Sequence, residues 1–159
     1  MGLKSFSHVD ADEMRPADVN ECIRNTLSMV NNQLKYHCKV YTNLCEDSTI
    51  SCHAGRLSQV FTNLLVNAGH AIEKDGIIKV HSVKDDDKLK VYIVDNGSGI
   101  APDNLKKLFD PFFTTKAEGE DTGLGLSISY GIIKDHGGNI EVKSVLGKGT
   151  CFIVSLPLE

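Results

Sequence analysis

Two asparagines and a histidine lie one turn apart on what reads as a single helix flank. In SQVFTNLLVNAGHAI, Asn63, Asn67 and His70 are spaced i, i+4 and i+7 and so line up along the helix. An asparagine inside a helix is worse than alanine by up to about 0.7 kcal/mol. Two on one flank are either solvated surface residues or ligands. An amide oxygen suits a hard cation such as Mg²⁺, with nucleotide phosphates completing the shell. A second feature is VYIVDNGSGI, which puts Asp95 at the end of an apolar strand and Gly97 and Gly99 just beyond it. An Asn-Gly turn is common, but here Ile100-Ala101-Pro102 leads into a short helix, not into a hairpin. A carboxylate beside glycines that admit close backbone approach suits hydrogen bonding to the amine of a base. A third is DTGLGLSISYGII, where Gly123 and Gly125 open a helix. Its free N–H groups and positive dipole end can meet phosphate. Other glycine-rich phosphate motifs fail on residues. A GxGxxG fingerprint needs glycine at 102 or 128, and a P-loop needs it at 142; Pro102, Ile128 and Val142 stand there.

The elements that must position these groups follow from periodicity. Asp18 is a candidate N-cap for a helix carrying Val19, Cys22, Ile23, Leu27, Val30 and Leu34 at helical spacing. Short strands are predicted over 39–44 and 49–52. A second helix runs over 54–74, its apolar stripe made by Leu57, Val60, Phe61, Leu64, Ala68, Ala71 and Ile72; Asp75-Gly76 stops it. Strands at 77–83 and 89–94 flank the acidic turn Asp85-Asp86-Asp87. A short helix near 103–108, a glycine-rich loop, a third long helix over 124–136 and strands at 139–145 and 150–156 complete the chain. This order predicts an α+β two-layer sandwich, with three main helices on one face of a mixed five-stranded sheet.

Bulk properties narrow the function. The 159 residues are 41% hydrophobic and 24% charged, a globular composition of single-domain size. A net charge of -4 without a basic face argues against a nucleic-acid partner. No stretch reaches the roughly 18 apolar residues of a membrane span, and the start MGLKSFSHVD is not a signal peptide. Cys22, Cys38, Cys45, Cys52 and Cys151 include no CxxC pair, so they read as reduced thiols of a cytoplasmic protein, although the full-length protein could be membrane-anchored.

Taken together, the boxes resemble a known family. NLLVNAGHAI is similar to the asparagine box of histidine kinases, VDNGSGI to the first glycine box, LFDPFFTTK to the phenylalanine box, TGLGLSI to the second glycine box, and GKGTCFIVSLP to the closing glycine-threonine strand. The group is the GHKL superfamily (gyrase, Hsp90, histidine kinase, MutL), with the Bergerat ATP-binding fold. The resemblance covers roughly residues 17–158 and implies ATP and Mg²⁺ as ligands. It makes Asn67 the Mg²⁺ residue, with Asn63 as support. Asp95 would bind the adenine amine, and Gly97 and Gly99 would let the chain turn against the nucleotide. Phe109, Phe112 and Phe113 would anchor a lid at about 114–122. Gly123, Leu124 and Gly125 would cradle phosphates, and Thr150 would hold the adenine side. Ile100, Thr122 and Leu126 fall in the same nucleotide-binding set. His70 and Lys116 are candidate phosphate contacts, whereas His136 reads as a helix-end cation.

Residue choice separates the branches. The ATPase branch places a water-activating Glu one turn before the metal asparagine. Here that position is Asn63, which has no base function. The resemblance therefore implies phosphoryl transfer to a docked acceptor, the alternatives being a GHKL-type ATP hydrolase or a nucleotide-binding regulatory module. Two departures stand out: Asp121 precedes Thr122 where glycine is usual, and His53 replaces an acidic residue before the asparagine-box helix. None of the six histidines is followed by Glu or Asp, as a phosphoacceptor of this family would be. The phosphoacceptor and sensor are thus expected upstream. Residues 1–16 would be the tail of a dimerisation helix and linker, and 17–159 a monomeric catalytic domain. Its partners would be the histidine-bearing dimerisation domain and, indirectly, a response regulator.

Overall fold

The structure, a computed structural model, describes residues 14–110 and 125–158. Helix α1 (Val19–Leu34) begins at Asp18, whose side chain accepts from the Asn20 amide at 3.0 Å. Such a cap is worth about 1 kcal/mol. Ser48 also bonds to Asp18 and, with that amide, holds the Asp18 carboxyl below its ordinary pKa. Buried Asn20 continues the network. Its amide donates to the Cys45 carbonyl at 2.6 Å, and its oxygen accepts from Ser82 at 2.8 Å. The segment after β2 (Cys38–Asn43) is thereby tied to α1.

Strand β1 (Arg15–Asp18) pairs antiparallel with β3 (Thr49–Cys52) in a two-stranded ribbon. Pro16 lies within it, a position proline tolerates at a sheet edge. This ribbon was not expected: Arg15 and Pro16 read as linker, yet they pair with Cys52 and Ser51.

The main sheet has the order β2-β4-β5-β7-β6. It contains β4 (Gly76–Asp85), β5 (Lys88–Asp95), β6 (Asn139–Val145) and β7 (Gly149–Pro157). Only β2 and β4 run parallel, so the sheet is mixed as predicted. On one face, Ile78, Val80, Leu89, Val91, Ile93, Phe152, Val154 and Leu156 alternate into the core. Helix α2 (Ala54–His70) lays Leu57, Val60, Phe61, Leu64 and Leu65 onto this core beside α1 and α4 (Gly125–Asp135). Removing a ring such as Phe61, fully buried here, typically costs about 3–5 kcal/mol. Helix α3 (Pro102–Leu105) is one turn long. The five cysteines are free thiols, with Cys52 pushed up to about 11 by burial.

Helix α2 ends at His70, short of the expected Lys74. The Ala71 amide is shared between the Asn67 and Ala68 carbonyls, and the Ile72 amide turns back to Gly69. The Ala71 carbonyl is then taken by the Ser98 amide at 2.9 Å. A contact with the loop after β5 thus ends the helix. Among the described residues, no helix is long and apolar enough to cross a membrane.

Candidate functional site

Asp95 closes β5 and is only 6% exposed. Strand pairing places it opposite Thr150 on β7, and Thr150 opposite Ser144 on β6. Directly opposed residues share a sheet face, so a carboxylate and two hydroxyls form a row across three strands. Burial pushes the Asp95 pKa up, while the Gly97 and Thr150 backbone amides pull it down. Its Oδ1 accepts from the Gly97 amide at 2.8 Å.

The loop after Asp95 is held against both neighbours. An added Cβ at Gly97 would lie 2.6 Å from the Ala71 carbonyl oxygen, so only glycine lets the loop reach the end of α2. Gly99 has φ +75, and its Cβ would meet the Val145 carbonyl at 2.2 Å. Asn96 accepts from the Ile77 amide at 2.8 Å, and the Gly147 amide donates to the Ser98 carbonyl at 2.7 Å. Half-buried Ile100 packs on the core, and its amide donates to Ser144 Oγ at 2.8 Å. The first glycine box is therefore pinned between α2 and the β6–β7 hairpin.

The helix seam forms the other end of the site. Half-buried Asn63 donates through Nδ2 to the Gly125 carbonyl and to Ser129 Oγ, both at 3.1 Å. Its side chain thus fastens α2 to the first turn of α4. Asn67 is half-buried one turn further along α2, and His70 is exposed at its last residue. Leu126 packs on the core, and Phe109 stacks at 5.1 Å on Tyr130 of α4. Phe112, Phe113, Lys116, Thr122, Gly123, Leu124 and the lid expected at 114–122 lie outside the described residues.

At the far end of this seam the expectation for His136 is corrected. It is buried and neutral, not a helix-end cation. Its Nδ1 meets the Ile132 carbonyl at 2.8 Å and so carries the proton; its Nε2 accepts from the His53 amide at 3.0 Å. Burial holds its pKa below the ordinary value. The imidazole thus satisfies the backbone N–H of the α2 N-cap residue, the group that the second half of a capping box would serve. The His53 ring packs edge-on at 5.3 Å, its Nδ1 buried without a hydrogen bond, and Arg56 pairs with Asp135 at 3.0 Å.

Reading the sequence for chemistry missed Ser144, Tyr130 and the His53–His136 pair. A signal for Ser144 existed. A turn at Gly147-Lys148-Gly149 sets the register that puts Ser144 opposite Thr150.

Comparison with known proteins places this arrangement. Residues 52–159 match the family described as histidine kinase-, DNA gyrase B- and HSP90-like ATPase. The sensor histidine kinase ZraS of Salmonella typhimurium is 38% identical over 149 residues, covering 91% of this chain and 31% of that protein. Sporulation kinase E of Bacillus subtilis is 40% identical over 145 residues, covering 89% and 19%. The chain thus spans a third or less of these relatives. The solved catalytic domain of histidine kinase ThkA superposes with a TM-score of 0.82 at 32% identity, over 92% of this chain and 96% of that one. The same kinase in complex with its response regulator TrrA matches at 0.79 and 30%, over 92% and 42%. The chain belongs to the histidine kinase-, DNA gyrase B- and HSP90-like ATPase family, as an ATP-binding catalytic domain of the sensor histidine kinase type.

Proposed function

We propose that this domain binds ATP with Mg²⁺ and transfers the γ-phosphoryl group to a histidine on a separate dimerisation domain, from which a response regulator is served. The observation that carries the choice of transfer over hydrolysis is Asn63. The residue one turn before Asn67 is an amide whose N–H groups are committed to Gly125 and Ser129. An amide is no general base, so attacking water has no activator there. A neutral imidazole nitrogen of the acceptor needs none: it attacks the γ-phosphorus as the bond to the β–γ bridging oxygen breaks and ADP leaves.

Phosphoryl transfer depends mostly on positioning and charge stabilisation, and the residues divide along those lines. Asp95 is a buried acceptor for the adenine amine, with Gly97, Gly99, Ile100 and Thr150 shaping the base pocket. The Asn67 amide oxygen is the Mg²⁺ ligand, and the metal offsets phosphate charge when bound. Gly125 supports a phosphate role: among the described residues an added Cβ would come no closer than 3.7 Å, to Asn63, so packing against them does not demand glycine there. Leu126, and outside the described residues Phe112, Thr122, Gly123 and Leu124, complete the nucleotide set, with His70 and Lys116 as phosphate contacts. The domain, residues 17–159, works as a cytoplasmic monomer and residues 1–16 lead from the dimerisation helix.

The test mixes the domain with ATP, Mg²⁺ and the dimerisation domain of the same full-length protein. Acid-labile phosphohistidine is expected, with little phosphate release from the domain alone. Steady release on the order of 1 s⁻¹, a typical enzyme turnover, would move the protein to the hydrolase branch. Asp95→Asn should weaken ATP by about 1–3 kcal/mol, the cost of mispairing a buried polar group, and calorimetry reads this directly.

A further inference from the structure

Thr150 stands between two acceptors, Ser144 on one side and Asp95 on the other. Where its hydroxyl proton goes decides what the pocket offers a base. Proton counting settles the question. A serine hydroxyl has one donor and two acceptor positions. Ser144 Oγ lies 2.8 Å from the Gly149 carbonyl, which can only accept, so the serine proton goes there. One lone pair takes the Ile100 amide at 2.8 Å. The other faces Thr150 Oγ1 at 2.8 Å, and with the serine proton already used, Thr150 is the donor. The Thr150 proton therefore points away from Asp95.

We infer that Ser144 is a positioning residue for base selection: by drawing the Thr150 proton away from Asp95, it leaves the pocket edge with acceptors only, the Asp95 carboxylate and the Thr150 lone pairs. The inference rests on the reading that Asp95 meets the base. Such an edge favours a purine bearing a 6-amino group and disfavours a 6-oxo purine, which offers another acceptor. Without Ser144 the Thr150 hydroxyl can turn. It then donates to Asp95, competing with the amine, or to a 6-oxo group, which it would welcome. The geometry of the row supports this. Ser144, Thr150 and Asp95 occupy one face, and Gly149 keeps β7 tight against β5, its absent Cβ lying 2.1 Å from the Asp95 carbonyl.

Calorimetric titration with ATP and with inosine triphosphate tests it on the whole domain. Ser144→Ala should lower the ratio of ATP to inosine triphosphate affinity by about fivefold, the effect of one net hydrogen bond. Ser144→Thr keeps a hydroxyl and should restore the ratio. A role limited to holding the hairpin would weaken both nucleotides equally, and an unchanged ratio would overturn the inference. Should Ser144→Ala fail to fold, Ser144→Cys, whose sulfur is a weak donor and acceptor, takes its place with the same expected fall. Asp95→Asn is the control. If it leaves ATP binding intact, the base-site reading itself fails. If it weakens ATP binding while the ratio holds in the Ser144 variants, only the Ser144 role falls.

Discussion

The base end of the site and the helix seam are built differently. At the base end, three strands and a loop converge, and the positions that matter are backbone positions. Gly97, Gly99 and Gly149 each sit where a Cβ would strike a carbonyl at 2.6 Å or less. Along the seam, α2 and α4 meet through side chains: Asn63 on Gly125 and Ser129, and His136 on the His53 amide. A backbone-built pocket holds one shape at high cost to any change. A seam joined by a few polar side chains is cheaper to alter and responds to solution conditions.

Glycine substitutions break the comparison most sharply. Gly149 has φ +141 and would put its Cβ 2.1 Å from the Asp95 carbonyl. Gly149→Ala therefore combines backbone strain with a steric clash and should cost about 2–4 kcal/mol. Gly125→Ala meets no described residue closer than 3.7 Å, so stability should change by no more than about 1 kcal/mol, in the favourable direction. Urea unfolding of both variants decides the matter. Equal losses would mean the seam is as tightly packed as the base end.

A smaller effect is expected at Asn63. Asn63→Ala removes two hydrogen bonds from a half-buried seam and should cost about 1–2 kcal/mol. Asn63→Asp keeps the shape, loses both donors and faces a carbonyl with a charge, so it should cost more. Because the base end is anchored separately, adenosine titrated by NMR should bind both variants as it binds the parent. A matching loss of adenosine affinity would show that the two ends are one cooperative unit.

How far the sequence revealed this division depended on range. Asn63, Asn67 and Asp95 stood out because two poor helix formers share one helix flank and a carboxylate ends an apolar strand beside glycines. The elements followed from the same patterns. What escaped was set by distant partners. The early stop of α2 depends on the Ser98 amide, and β1 depends on pairing with β3. His136 looked like a charged helix end because only Gly137-Gly138 beside it was visible. Its neutrality is fixed by an Nε2 that accepts from the amide of His53, far away in sequence, while Nδ1 donates to Ile132. The Thr150 proton could be assigned only once three neighbours were fixed in space.

Acid should act on the two ends with opposite signs, and this is the smallest effect. The folded-state pKa of His136 is lowered by burial. Its contribution is fully present above the unfolded value of about 6.5 and declines as pH falls below it. The unfolded chain then takes up a proton that the buried ring refuses, because its Nε2 is occupied by the His53 N–H. The loss ends once pH passes below the folded pKa, and its slope cannot exceed about 1.4 kcal/mol per pH unit for one proton. Asp95 runs the other way. Burial raises its folded pKa above 3.8, so the folded state binds a proton before the unfolded chain does. Its contribution is present at low pH and is lost as pH rises through the folded pKa. Asp18, held below its ordinary pKa, weakens the fold in acid as well, so total stability does not isolate either site. Differences do. Subtracting the profile of His136→Gln from that of the parent should leave a stability term that declines between pH 7 and 5. Subtracting Asp95→Asn should leave one that rises only at lower pH. Ligand-free Asp95→Asn should also melt at or above the parent temperature near neutrality, since the ionised carboxylate is the form that burial disfavours. A parent-minus-variant curve for His136 that is flat through pH 6.5 would mean the ring takes up its proton in the fold as readily as in the unfolded chain, and the His53 N–H would have to find another acceptor.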